Sequence, residues 1–424
     1  MKVAIIGTGI AGNVAAYKLH AEHDITVFEA GGYVGGHTNT VDVYENGRAI
    51  PVDTGFIVFN DRTYPNFIGL LDEIGQQSQP SEMSFSVQSE AAALEYSGSS
   101  LNGLFAQRSN LLRPGFHRMI RDILRFNNEA LASLDRLDGA QTLAEYLSGN
   151  GYRREFVDYY LVPMAAAIWS AEPVSVMDMP VAFLVRFFAN HGLLQLEDRP
   201  KWRVIKGGSR QYVNKLVSAH RDRIRLNSPV LAVRRTGQCV EVHTEAAGSE
   251  RFDAVFFACH SDQALALLQD PTVAERAVLG AIRFQANEAI LHSDNTLMPK
   301  RRRAWSAWNY HIPEDNRRHV AVTYNMNILQ GLKTRKDYCV TLNCDERIDP
   351  QCIVARVQYE HPVYSSEAVA AQQRQAEINA DRSFYCGAYW RNGFHEDGVV
   401  SALNAVRHFE ERLADAELYL RRAG

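Results

Sequence analysis

The chain has 424 residues, 46% of them hydrophobic and 22% charged, with a net charge of −4. This is ordinary globular composition with room for two or three core-sized units. The balance gives no global attraction for nucleic acid, and no apolar run reaches the ~18–20 residues that span a bilayer.

The opening Met-Lys-Val-Ala-Ile-Ile-Gly carries one charge and an apolar stretch too short for a secretory leader, so Val3–Ile6 is expected as a buried strand. "KVAII" is β-branched without a polar break, as a parallel strand buried on both faces reads. "GTGIAG" (7–12) follows, then "AGNVAAYKLHAEH", where Ala15, Ala16 and Leu19 recur at helical spacing. "DITVFEA" (24–30) is a second buried strand ending at Glu29, 22 positions after Gly7. In such a unit Gly7 permits the tight turn, Gly9 admits a pyrophosphate to the backbone, and Gly12 lets helix and strand pack. The helix start around Ile10 and Ala11 supplies free N–H groups and a positive dipole end. Glu29 accepts from a ribose diol and repels a 2′-phosphate. The pattern points to a dinucleotide; a glycine-rich turn without a ligand is the bland alternative.

Gly31, Gly32, Gly35 and Gly36 form a second glycine loop, where a simple nicotinamide-binding unit enters a helix. Beyond it, "EMSFSVQS" (82–89) alternates, with Met83, Phe85 and Val87 on one face, and "ALEYSG" reads as a second strand. Residues 103–137 read as helical with a break at Pro114, and 140–151 as a helix ending in a glycine cap. Within 108–126, Arg108, Arg113, Arg118, Arg121 and Arg125 oppose only Asp122, while Leu111, Leu112, Phe116, Met119, Ile120, Ile123, Leu124 and Phe126 make an apolar stripe. Two readings stay open: a lid helix with an arginine-rich outer face, or a basic amphipathic helix on anionic lipid. "PKRRRAW" (299–305) is a second basic run. "FDAVFFACHSDQAL" (252–265) is a strand and a helix capped by Ser261 or Asp262. "EAILHSD", "RAWSAWNY", "HVAVTYNMN" and "YCVTLNC" are short strands with turns such as "IPEDNRR", suggesting a meander. The six cysteines (239, 259, 339, 344, 352, 386) include no C-x-x-C pair and read as reduced thiols of a cytoplasmic protein, with no metal site.

"EAGGYVGGHTNT" (29–40) resembles the extended dinucleotide motif of the flavin amine oxidase and phytoene desaturase superfamily, with His37 where many members carry Arg. "PVDTGFIVFN" (51–60), "KWRVIKGGSRQYVNKL" (201–216), "RIRLNSPVLAVRR" (223–235), 252–265 and "SFYCGAYWRNGFHEDGVVSALNAVRHF" (383–409) are similar to further segments of that family, in the same order. The resemblance implies non-covalent FAD. Its cofactor-facing set here comprises Gly7, Gly9, Ile10, Ala11, Gly12, Glu29, Ala30, Gly35, Gly36, His37, Thr38, Thr54, Gly55, Val230, Gly387, Glu396, Asp397, Gly398 and Val399. Val230 is assigned to adenine. Asp397, Gly398 and Val399 are assigned to the ribityl-pyrophosphate and to a helix start aimed at the flavin. Cys386 is not expected to be a flavin linkage.

The implied fold is α/β: a Rossmann-type FAD-binding domain of three-layer ββα architecture, plus an interleaved α+β substrate domain with a mostly antiparallel sheet. The expected pieces are 1–80, 200–290 and 378–424 for FAD, and 81–199 and 291–377, with a helical insertion, for substrate. "GGHTNTV", "DTGFIVFN" and "GFHEDG" further resemble bacterial FAD-dependent proteins linked to cyclopropane- and methyl-modified fatty acids.

That narrower likeness implies hydride transfer from a fatty-acyl or phospholipid chain, giving desaturation or double-bond isomerisation. Phe56, Ile57, Trp305, Trp308, Tyr310, Tyr324, Tyr389 and Trp390 are the cavity candidates; aromatics also pack ordinary cores. A flavin amine oxidase acting on a small amine or polyamine is the alternative. Many amine oxidases place a Lys near flavin N5, where "FQANEAILHSD" has Glu288. A non-catalytic FAD-binding protein is a third reading. His37 is expected to bond cofactor phosphate or flavin-side groups, or to pack its loop; His361 to line the cavity, or to cap a strand end before Pro362; His395 and Glu396 to be acid/base groups, or part of the cofactor loop. The expected partners are a hydrophobic or lipid substrate, an unspecified electron acceptor and a membrane surface at 108–126. The expected location is the cytoplasm or the inner membrane face.

Overall fold

The computed structural model describes residues 1–195, 197–314 and 321–423. Strand β1 (Lys2–Ile6) is buried on both faces, and its alternation sorts the side chains. Val3 and Ile5 pack with helix α1 (Ile10–Leu19), while Ala4 and Ile6 pack against a three-stranded antiparallel meander. The meander is Val230–Arg235, Val240–Thr244 and Gly248–Phe252. Between the layers lies a five-stranded parallel sheet in the order Ile224–Arg225, β2 (Asp24–Phe28), β1, Ala254–Phe257, Ser383–Tyr385. The helix layer is α1, Arg210–Leu216 and the C-terminal helix His395–Ala423, whose Val399, Ala402 and Ala405 share a core with Val14 and Ala15. This is the expected three-layer arrangement.

A seven-stranded mixed sheet forms the second part. Its order is Ile353–Pro362, Phe284–His292, Cys339–Leu342, Ala321–Asn325, Trp308–Ile312, Phe85–Ser89, Leu94–Ser97. Every pairing is antiparallel except that of 308–312 with 85–89. The expected meander accounts for 308–312, 321–325 and 339–342; the strand 284–292 then inserts between 339–342 and 353–362 instead of opening the series. The turn expected over 315–318 and the first two residues of "HVAVTYNMN" lie outside the described residues.

Four local expectations are corrected. Met83 precedes its strand, and Ser86 and Gln88 are as buried as Val87, because this strand has sheet neighbours on both sides and is covered on both faces. Trp305 lies in a turn before the strand, with Nε1 donating to Pro299 O (2.7 Å), because the Arg302–Ala304 turn occupies this stretch. The helix Ser261–Leu267 is capped by His260 with Gln263, while Ser261 Oγ donates to Ile282 O (2.7 Å). Pro114 starts a 20-residue helix, Pro114–Ser133, rather than interrupting one, since its missing N–H and fixed φ suit a first helical position. Phe116, Met119 and Phe126 of its stripe are buried in a core with Phe156 and Phe188, so the helix packs down as a lid; Leu111 and Leu112 precede it and are exposed. No described helix is long and apolar enough to cross a membrane.

Candidate cofactor and substrate site

Two glycine turns meet where β1 ends. Gly7 has φ +102°, and its N–H donates to Phe28 O (2.8 Å). A Cβ at Gly12 would lie 2.0 Å from Gly7 O, and one at Gly36 would lie 3.1 Å from Gly9 Cα, whereas one at Gly9 would meet nothing within 4 Å. Helix α1 begins at Gly9 with no side-chain cap and no acid in its first turn. Its N–H groups at Ile10 and Ala11 therefore form an un-neutralised dipole end, which is the chemistry of a phosphate cradle. The C-terminal helix starts against it: a Cβ at Gly398 would lie 2.5 Å from Ile10 Cγ2.

Glu29 accepts from Thr8 N (3.0 Å), Thr8 Oγ1 and Gly31 N (2.7 Å), and Thr8 Oγ1 accepts from Gly35 N (3.2 Å). One carboxylate thus ties the first glycine turn to the second. Ser228 N donates to Glu29 O (2.8 Å) and Asn227 N to Gly31 O (3.0 Å), which leads the chain to Val230 at the same end; Ala30 is exposed beside them. These residues fit a dinucleotide: an open, uncapped helix start lies beside an acid at the end of the second strand.

Past Gly36 the chain turns inward. His37 O accepts from Phe56 N (2.8 Å), and a Cβ at Gly55 would lie 2.2 Å from that oxygen. Thr38 Oγ1 lies 2.7 Å from Tyr212 OH and 3.0 Å from His395 Nε2, while Tyr212 OH and His395 Nε2 are 2.8 Å apart. The His395 ring stacks on Phe56 with centroids 3.3 Å apart. Burial, reinforced by nearby His37, holds His395 well below the usual imidazole range, so it is neutral. Asp53 is fully buried and accepts from Thr40 Oγ1 (2.6 Å), Ser209 N (2.9 Å), Ser209 Oγ (2.8 Å) and Gln330 Nε2 (3.0 Å). Burial pushes its carboxyl up to about 6 against those hydrogen bonds.

Tyr359, His361 and His260 gather around His37, and the Tyr359 hydroxyl is 2.9 Å from Thr54 Oγ1. His37 stacks on the Tyr359 ring at 4.7 Å, with His361 at 5.2 Å and His260 at 6.4 Å from His37. His37 Nε2 and His361 Nδ1 have no hydrogen-bond partner among the described residues. Burial and the neighbouring imidazoles push His37 down to about 3 and His361 to about 4. Each is neutral at pH 7 with a ring nitrogen free to bond or to take a proton. His361 sits within the strand 353–362 opposite Gln285, rather than capping its end.

Other expected residues are not gathered in this way. Glu396 is committed to a neighbouring helix, accepting from Asn66 N (3.1 Å), Asn66 Nδ2 (2.7 Å) and Phe67 N (2.9 Å). Asp397 accepts from Phe394 N (2.9 Å), and burial pushes it up to about 7. Gly387 donates to Ser401 Oγ (2.8 Å), and Val399 is core. The aromatic candidates separate. Phe56 joins His395. Trp308 and Tyr324 form an edge-on pair 5.2 Å apart, with Ile57 in the same core and Tyr310 in the core beneath the helical insertion. Tyr389 and Trp390 pack with Phe284 on the meander side. Sequence reasoning missed Tyr212, Tyr359, His260 and the donors to Asp53. Tyr212 had a signal, one turn into the helix after the double glycine 207–208, but the histidine group is assembled from positions over 300 residues apart.

A Rossmann-type parallel sheet under a meander, with an acid closing its second strand onto two glycine turns, defines a dinucleotide-dependent oxidoreductase. The family described as flavin containing amine oxidoreductase matches residues 10–297, and the chain belongs to it. It is an FAD-dependent oxidoreductase. Among solved structures of the same fold, a CLA-producing fatty acid isomerase from P. acnes aligns with TM-score 0.68 and 16% identity over 96% of this chain and 98% of that one. A putrescine oxidase aligns with TM-score 0.67 and 15% identity over 96% and 99%. Cyclohexylamine oxidase from Brevibacterium oxydans aligns with TM-score 0.65 and 15% identity over 97% and 99%. No curated protein sequence matches the chain.

Proposed function

We propose that the protein acts on the acyl chain of a fatty acid or phospholipid, by desaturation or double-bond migration. The carrying observation is the strand Phe284–His292. Glu288 is turned to Arg356 (3.2 Å) and Gln358 (3.1 Å), while Ala289 and Leu291 enter an apolar core with Ile57, Trp308, Tyr324 and Tyr359. The buried carboxylate of this region, Asp53, is already held by four donors, so an ammonium finds no free acid there. A fatty acid isomerase among the structures of this fold supports the same class.

In this reading Gly9 and the N–H groups of Ile10 and Ala11 would hold the pyrophosphate, with Gly7, Gly12, Gly36 and Gly398 packing the turns close enough to admit it, Glu29 the ribose and Val230 the adenine. Bound FAD supplies a hydride acceptor at flavin N5. The chain supplies orientation and dryness from the apolar wall. His37 and His361, neutral and each with an unpartnered ring nitrogen, are groups that could hydrogen-bond cofactor or substrate beside this wall. The division into cofactor pieces 1–80, 200–290 and 378–424 and substrate pieces 81–199 and 291–377 belongs to the same proposal, with 284–290 counted to the substrate sheet.

The lipid reading also has a surface. Leu101, Leu111 and Leu112 are 78%, 51% and 87% exposed in the turns before Pro114. The turn Arg302–Ala304 packs beside Leu101–Leu104, bringing exposed Arg302 and Arg303 to the same end as exposed Arg108. We place the contact with anionic lipid on these turns, not on the buried stripe of the long helix.

The test is anaerobic absorbance of the flavin with unsaturated or methylated acyl lipids against a panel of amines. Bleaching by lipid, or lipid isomerisation without net bleaching, is expected. Bleaching by amines alone overturns the reading in favour of an amine oxidase.

A further inference from the structure

A cavity of about 1060 Å³ opens beside the turn that starts the C-terminal helix. Phe394, Glu396 and Asp397 line it, whereas His395 between them turns to Phe56 and Tyr212. The remaining walls come from the helix Val181–Asn190, the helix Ser366–Gln372 and residues 62–66.

Four arginines reach this space: Arg62, Arg186, Arg391 and Arg407. Two are spoken for, Arg62 by Asp198 (2.5 Å) and Arg407 by Glu411 (3.4 Å). Arg186 and Arg391 are exposed at the rim, and neither side chain has an ion-paired acid among the described residues. Of the lining carboxylates, Glu396 is consumed by three donors at residues 66 and 67; burial pushes Asp397 up to about 7, outweighing the charge of Arg391, which it feels without a close ion pair. Beside polar side chains such as Asn66, Gln372 and Asn404, the lining includes Phe183, Phe394, Val369 and Trp390. Weakly hydrated cations without a close ion pair, next to apolar side chains, match a ligand with one anionic end and a hydrocarbon body. Fatty-acid-sized molecules fit pockets of this volume class.

We propose that this cavity binds an amphiphilic anion, a medium- or long-chain carboxylate, with its head group on Arg186 and Arg391 and its chain along Phe183, Phe394 and Trp390. The cavity shares Glu396 and Asp397 with the turn expected to face FAD, but binding there does not depend on which substrate the flavin oxidises.

Calorimetry of the FAD-loaded protein with decanoate, 1-decanol and inorganic phosphate tests it, on wild type, the R186Q/R391Q double variant and F183A. Both arginines are exposed, and unchanged flavin absorbance and thermal midpoint report that the double variant folds. Decanoate is expected to bind at least tenfold tighter than decanol or phosphate, and at least tenfold more weakly to either variant. Equal binding of decanol, equal binding of phosphate, or undiminished decanoate binding to the double variant overturns the proposal. Because turnover is not the readout, failure here is separate from failure of the acyl-lipid reaction.

Discussion

At the glycine turns around residues 7–12 and 35–36, position is set by backbone; around the seven-stranded sheet it is set by side chains. In the first region a methyl group at Gly12 or Gly55 would fall 2.0–2.2 Å from a carbonyl oxygen. In the second, Trp308, Tyr324, Ile57 and Leu291 meet as ordinary interlocking volumes. Backbone-built sites leave no room for adjustment, because peptide groups cannot rotate away from a clash. Side-chain-built walls repack, and the energy of a change scales with the volume removed. One fold thus combines an unforgiving end at the glycine turns with a tunable end at the seven-stranded sheet.

Substitution at each end sharpens the contrast. Gly12→Val is expected to be the most damaging, costing about 3 kcal/mol or more as Cβ collides with Gly7 O. The purified variant should carry little flavin by its ratio of visible to ultraviolet absorbance; normal flavin loading would break the comparison. Trp308→Ala should cost about 3 kcal/mol in denaturant unfolding yet retain its flavin. Loss of flavin from this variant would show that the two ends are not separable. Glu29→Gln is expected to weaken FAD retention by ~1–3 kcal/mol, roughly ten- to a hundredfold, measured by titrating the apoprotein.

The titratable groups give a pH signature. His37, held down at about 3, and His191, His220, His292 and His361, at about 4, are neutral when folded and take up protons on unfolding below their ordinary value of 6.5. Their contribution is complete above pH 6.5 and is lost as pH falls towards 4. Asp53, raised to about 6, works the other way: it favours the folded state at low pH and loses that contribution as pH rises from about 4 through 6. The thermal midpoint should fall between pH 6.5 and 4, and less steeply in His361→Gln. The smallest expected change is Leu112→Asp. It should alter stability by under about 0.5 kcal/mol while reducing cosedimentation with anionic vesicles. Undiminished vesicle binding would remove 101–112 as the lipid-facing end.

Much of the cofactor end was legible because its signals are local. Gly7, Gly9 and Gly12 sit one turn apart, and Glu29 closes the next strand, so one supersecondary unit holds them all. The acids at 396 and 397 carried the same kind of local signal for a helix start, but not for the backbone they bond. Their oxygens cap backbone at 66, 67 and 394, a use that depends on a helix over 300 residues away in sequence. The basic stripe at 108–126 was legible as amphipathic, yet amphipathicity alone does not distinguish a face covered by protein from one facing lipid. Phe116, Met119 and Phe126 proved to be covered, and Leu111 and Leu112 not.

The sequence by itself determined the α/β class, the glycine turns and the flavin family, because strand periodicity and glycine spacing act over a few residues. Only tertiary structure decided that Thr38, Tyr212 and His395 share one hydrogen-bonded knot, that Tyr359, His260 and His361 gather around His37, and that Arg186 and Arg391 line one cavity. Those groupings arise where strands and helices distant in the chain pack together. Packing depends on the summed burial of the whole core, which no short stretch of sequence contains.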